Sequence, residues 1–102
     1  MIKFEVILSE DADNDINGYT DFIINEYNSP LTALRNYEGL FETIFSLEKI
    51  ADKIPISQSK YLQQFGFNTR SVNYKKMTII YTIHNNIVFI KRIVPQSLIK
   101  GL

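Results

Sequence analysis

Between Arg70 and Arg92 the chain reads RSVNYKKMTIIYTIHNNIVFIKR, and this segment holds most of the side chains that could act on a phosphate. Cutting RNA without a metal needs a base for the 2′-hydroxyl, an acid for the leaving oxygen, and cations for the charge on phosphorus. Arg70, Lys75 and His84 are the catalytic candidates, and His84 is the only histidine in the chain. Arg70, Tyr74, Lys75, Lys76, Lys91 and Arg92 could equally hold an anionic partner without cutting it. Lys60 and Tyr61 could join either set.

Each candidate also has a plainer use. A histidine at a hairpin tip is an ordinary exposed polar residue. Arg70 could pair with a helix acid, and Arg92 could be a paired, partly buried arginine at the sheet edge. Lysines on edge strands protect against aggregation, and tyrosines such as Tyr61 and Tyr74 often cap a small core. Other chemistries lack their residues. There is no cysteine, which excludes disulfides and thiolate zinc sites. Asp11, Asp13 and Asp15 suggest a calcium loop, but the glycine at its sixth place and the glutamate at its twelfth are missing. No Gly-rich phosphate loop or Ser-His-Asp arrangement is present. The sequence implies no cofactor and no metal.

The charge is split along the chain. All eleven acidic residues lie in residues 1–52 with only three basic ones, and the other eight basic residues lie in 53–102. The halves carry −8 and +8, and the whole is neutral. Such asymmetry points either to an anionic partner or to pairing between the halves inside the fold.

The elements that must position these residues follow from periodicity. Ile2, Phe4, Val6 and Leu8 alternate as one face of an opening strand. Ser9 followed by acids starts a helix over roughly 10–27, with Ile16, Tyr19, Phe22 and Ile23 at helical spacing. Asn28-Ser29-Pro30 breaks it, and Pro30 suits the first turn of a second helix ending near Asp52. That helix carries a broad apolar stripe: Leu31, Leu34, Tyr37, Leu40, Phe41, Ile44, Phe45, Leu47 and Ile50. The stretch KIPISQSKYLQQFGFNT reads as a loop, turning at Gly66. Strands follow over roughly 68–74, 76–83 and 86–94, the last two joined by Asn85-Asn86. This turn sets Ile83 against Val88, Tyr81 against Ile90 and Ile79 against Arg92, with Arg92 on the apolar face.

The order β-α-α-β-β-β predicts a single domain over 1–102. It is a two-layer α+β fold in which a helical hairpin lies on an antiparallel sheet and the first strand pairs inside that sheet. The opening apolar run is too short for a signal peptide, and no stretch nears the ~20 apolar residues of a membrane helix. The expectation is a cytoplasmic domain with no membrane partner.

With these residues, the chain resembles the RelE/ParE superfamily of bacterial type II toxins over nearly its whole length. FEVILSEDADNDINGYTDFI is similar to the family's opening strand and first helix. SPLTALR is similar to its second-helix entry, with Pro30, Ala33 and Arg35 in place. The segment from Arg70 to Ile93 matches without a gap, with Arg70, Tyr81 and Arg92 on recurring positions. The resemblance implies a toxin silenced by a cognate antitoxin, whose C-terminal segment is expected to be acidic. RelE-like members are implied to cleave mRNA on the ribosome, and ParE-like members to poison DNA gyrase. RelE-like members place Arg, His or Tyr just past the last strand, where this chain has VPQSLIKGL. That departure, with the ungapped match, favours the ParE-like branch. The alternatives are a ribosome-dependent endonuclease or an inactive interaction module on the same fold. Two copies of such a chain could also associate.

Overall fold

A computed structural model describes residues 3–99. The elements are β1 (Glu5–Leu8), α1 (Glu10–Tyr27), α2 (Pro30–Ile50), α3 (Lys60–Gln63), β2 (Arg70–Tyr74), β3 (Met77–His84) and β4 (Ile87–Pro95), with 3-10 turns at Ala51–Lys53 and Gln96–Leu98. They form the expected two-layer α+β arrangement.

Local chemistry sets the helix ends. Ser9 Oγ accepts the Ala12 N–H at 3.0 Å, and Glu10, Asp11 and Asp13 sit at the positive end of α1. Asn28 stops α1 in the left-handed region at φ 47°, which asparagine tolerates. Ser29 Oγ then caps α2 by accepting the Thr32 N–H at 3.2 Å, and Pro30 fills the first turn. Ala33, Asn36, Leu40, Ile44 and Leu47 form the buried face of α2. Of these, Leu40, Ile44 and Leu47 pack with Phe4, just before β1, and with Met77, Ile79, Tyr81, Val88, Ile90 and Ile93 of the sheet, as does Ile16 of α1. Ile2, expected on the same face as Phe4, lies outside the described residues.

The sheet runs β1-β4-β3-β2. β1 is at an edge, parallel to β4, rather than inside the sheet, so the sheet is mixed. β2, β3 and β4 form the expected antiparallel meander. The predicted pairs Ile83–Val88 and Tyr81–Ile90 are present, but Ile80 faces Arg92 and Ile79 faces Ile93. Lys91 is therefore an extra residue in β4, a bulge that turns Arg92 off the core face and brings Ile93 onto it.

The reason lies at the edge of β4. β1 ends at Leu8, opposite Ile90, so β4 has no strand neighbour on that side beyond this point. The start of α1 takes over. Ser9 N–H donates to the Ile90 carbonyl, Ser9 Oγ donates to the Lys91 carbonyl, and Asp15 Oδ2 accepts the Ile93 N–H at 2.9 Å. Asp15 also takes both guanidinium arms of Arg92, at 2.7 and 3.0 Å, which raises the arginine's already high pKa. A straight ladder would point Arg92 into the core, away from this carboxylate.

The segment read as a loop also holds structure. It folds over the second face of the sheet, where Leu62 of α3 packs with Ile80, Val94 and Ile99, flanked by Tyr61 and Phe65. One turn of helix is too short to show periodicity, and burial of Leu62 is what holds it.

Asp15→Ala should leave the Ile93 N–H and the Arg92 charge without their shared partner. We expect a loss of about 2–3 kcal/mol in urea unfolding. Asp15→Ala/Arg92→Met should recover part of it, because the stranded charge goes too.

Candidate functional site

Arg70 and Tyr81 face each other across β2 and β3 and converge on one atom. Tyr81 Oη donates to the Ala51 carbonyl at 2.8 Å, and Arg70 Nη1 donates to the same oxygen at 3.1 Å. Ala51 follows α2 and is fully buried. Its carbonyl belongs to the negative end of the helix, so a guanidinium there is favourable. Arg70 thus pairs with a helix terminus rather than a helix acid. Burial pushes the Tyr81 phenol up to about 12.

Tyr74, at the far end of β2, lies across Gly39 of α2. A Cβ on Gly39 would stand 2.7 Å from Tyr74 Cζ, so the glycine makes room for the ring. Lys75 Nζ is 5.7 Å from the centre of that ring. The ring is therefore held between helix and ammonium, a core-capping use. The turn after it is clamped by the C-terminal segment: Gln96 N–H donates to the Lys76 carbonyl at 2.8 Å, and Gln96 Nε2 to the Lys75 carbonyl at 2.6 Å. Lys75 adopts φ 52°, a left-handed conformation that costs a residue with a Cβ about 1–2 kcal/mol.

The three catalytic candidates are spread along the sheet. Lys75 precedes β3 and His84 ends it, so they are separated by the eight residues of that strand, roughly 25 Å. Arg70, opposite Tyr81, is nearer His84 but points to the end of α2. His84 is exposed beside the Asn85-Asn86 turn. Lys91 is half-buried, its Nζ 5.6 Å from the Phe89 ring. Among the described residues, no group of three or more His, Cys, Asp or Glu is placed to hold a metal, and no helix is long and apolar enough to cross a membrane.

The acidic and basic halves barely neutralise each other. Among the described residues there are two ion pairs: Lys3 with Asp52, inside the acidic half, and Arg92 with Asp15. The hydrogen bond to Lys3 also lowers the pKa of Asp52. Lys53, Lys60, Arg70, Lys75, Lys76 and Lys91 have no carboxylate within ion-pair distance among those residues. Lys100 lies outside them.

α2 carries a second feature that sequence reasoning left unseparated from the core. Leu31, Leu34, Tyr37 and Phe45 are exposed, at 56%, 52%, 41% and 42%. Phe41 bridges the two aromatic neighbours, 4.7 Å from Tyr37 and 5.9 Å from Phe45 between ring centres. The stripe runs into a groove of about 400 Å³ lined by Phe4, Val6, Phe45 and Glu48 at the β1 edge. The signal was its breadth. The apolar positions of α2 span more of the circumference than one buried face uses.

This architecture has solved counterparts. A chain of the chromosomal ParDE TA system from P. aeruginosa superposes with a TM-score of 0.75 at 14% identity, over 93% of this chain and 98% of that one. A chain of the toxin-antitoxin complex RelBE2 from Mycobacterium tuberculosis gives 0.59 at 16% identity, over 92% and 99%. The chain shares the fold of these two chains. Scans against protein-family models and curated proteins find no match. In this chain the segment past β4 is a clamp on the β2–β3 turn, built around the amide side chain of Gln96.

Either Arg70 or Tyr81 alone leaves the buried Ala51 carbonyl satisfied, so each single change, Arg70→Ala or Tyr81→Phe, should cost about 1 kcal/mol. The double change strands the carbonyl and should exceed the sum of the singles by about 1 kcal/mol in a denaturation cycle. Tyr81 also sets an alkaline limit. Its folded pKa lies above the unfolded value, so its contribution is intact below about pH 10 and is lost as pH rises towards 12. Up to about 3 kcal/mol should disappear across that window, and Tyr81→Phe should flatten the loss.

Proposed function

We propose that this chain is the toxin of a type II toxin-antitoxin pair. On this reading it acts ParE-like, inhibiting DNA gyrase by binding, and its antitoxin docks an amphipathic helix on the exposed stripe of α2. The observation that carries this is the stripe itself: four large apolar side chains and a half-buried phenylalanine, aligned along one helix and leading into a groove. A surface of that kind on a small protein marks a partner site, and helix-in-groove recognition uses this spacing. Two solved structures that share this fold are, by their descriptions, a ParDE TA system and a toxin-antitoxin complex.

Binding rather than cutting is favoured by the spread of the candidates. A general base must stand within hydrogen-bond reach of its proton and near the phosphate cations. His84 and Lys75 stand at opposite ends of β3. Docking on the stripe is apolar and leaves Lys75, Lys76 and Lys91 for other contacts.

Purified protein at saturating concentration should inhibit gyrase supercoiling, and the protein encoded beside it should relieve the inhibition. Unaffected supercoiling would remove gyrase as the target. Codon-register cutting in a translation extract would move the reading to the ribosome. Leu34→Glu and Phe45→Glu should each weaken antitoxin binding about tenfold or more in calorimetry, with circular dichroism unchanged because both side chains are exposed.

A further inference from the structure

We propose that the β2–β3 turn is a preformed contact for the phosphate backbone of duplex DNA, and that Gln96 is its positioning residue. The chain has two two-residue hairpin turns, and they offer an internal comparison. At the β3–β4 turn the left-handed position is Asn85, at φ 56°. Asparagine is an ordinary solution for that conformation. At the β2–β3 turn the same conformation falls on Lys75, at φ 52°, where a lysine is strained. The strain is held by three hydrogen bonds from one residue: Gln96 N–H to the Lys76 carbonyl, and Gln96 Nε2 to the carbonyls of Lys75 and Met77, at 2.6 and 3.4 Å. A clamp that holds two exposed lysines in a costly turn fits a use for their charge.

The anion's class follows from the surroundings. No carboxylate pairs with either lysine among the described residues, and no acid occurs anywhere in residues 53–99. Both lysines are exposed with no ion pair to neutralise them, which suits sequence-independent phosphate contact. Binding an unpaired strand would also call for free aromatic faces. The ring at this turn, Tyr74, is half-buried, with its hydroxyl end against Gly39 and Lys75 Nζ 5.7 Å from its centre. Cations without a stacking platform fit the backbone of a duplex. At 3.6 residues per turn, Gly39 lies roughly 120–160° around α2 from Leu34, Tyr37, Phe41 and Phe45, and roughly 80° from Leu31 two turns away at the start of the stripe. The turn and the apolar stripe are on different flanks, so DNA and a helical partner could be held together. This contact does not depend on the toxin reading.

The test is fluorescence anisotropy of the full chain with a labelled mixed-sequence duplex of about 20 base pairs, titrated with salt from about 50 to 200 mM. Lys75→Asn/Lys76→Asn copies the sister turn and keeps its geometry. It should weaken binding and flatten the slope of log affinity against log salt by about 1.8. Gln96→Ala keeps both charges, so the slope should hold while affinity falls about 3–10-fold from the loosened turn. Thermal unfolding of each variant shows that the fold is retained. No duplex binding by the parent chain, an unchanged slope in the double variant, or equal affinity in Gln96→Ala would overturn the proposal. So would tighter binding of a single-stranded RNA of the same length, or of poly-glutamate displacing the duplex at equal charge.

Discussion

Past Ile90 the outer edge of β4 has no strand beside it, and the rest of the molecule is arranged around how that edge is satisfied. Unpaired strand edges invite pairing with other chains. Here the first turns of α1 supply the missing partners through Ser9 and Asp15. One carboxylate serves both a backbone N–H and a guanidinium. That fixes α1 against the sheet, and α2 follows through the short loop at Asn28-Ser29. The end of α2 is then fixed from the other side, where Arg70 and Tyr81 share the Ala51 carbonyl. The helical layer is thus tied at its beginning and its end by polar contacts, and the apolar core fills the space between.

Much of this was legible in the sequence because it is local. Ser9, Ser29 and Pro30 mark helix starts by chemistry that acts within one turn, and alternation in the hairpin marks its strands. The register beyond Ile90 was not legible. The bulge depends on Ser9 and Asp15, which lie 82 and 77 residues from their partners in the chain. The Asn85-Asn86 turn fixes only the pairs nearest to it. α3 was hidden for a related reason, since it is held by burial of Leu62 against strands that follow it. Of the site residues, Arg92 is the paired, partly buried arginine that its place at the sheet edge suggested. The partner of Arg70 was not legible, because it is a backbone carbonyl and not an acid, and Gln96 offered no acid or base to mark it.

The charge split takes on a different meaning with the structure. Pairing between the halves would have consumed it, yet Arg92 with Asp15 is the one ion pair that joins them among the described residues. The other acids of the helices and the other bases of the strands are not joined in ion pairs among the described residues. α2 stands between, apolar on one flank and packed against Tyr74 on the other.

The extra residue at Lys91 has a further consequence. It acts as a phase shifter: before it, the even-numbered residues of β4 point to the helical layer, and after it the odd-numbered ones do. One strand thereby serves two cores with a single apolar vocabulary, sending Val88, Ile90 and Ile93 one way and Val94 the other. Any comparison that carries side-chain roles from one relative to another position by position will swap inside for outside halfway along β4, unless the relative shifts phase at the same residue.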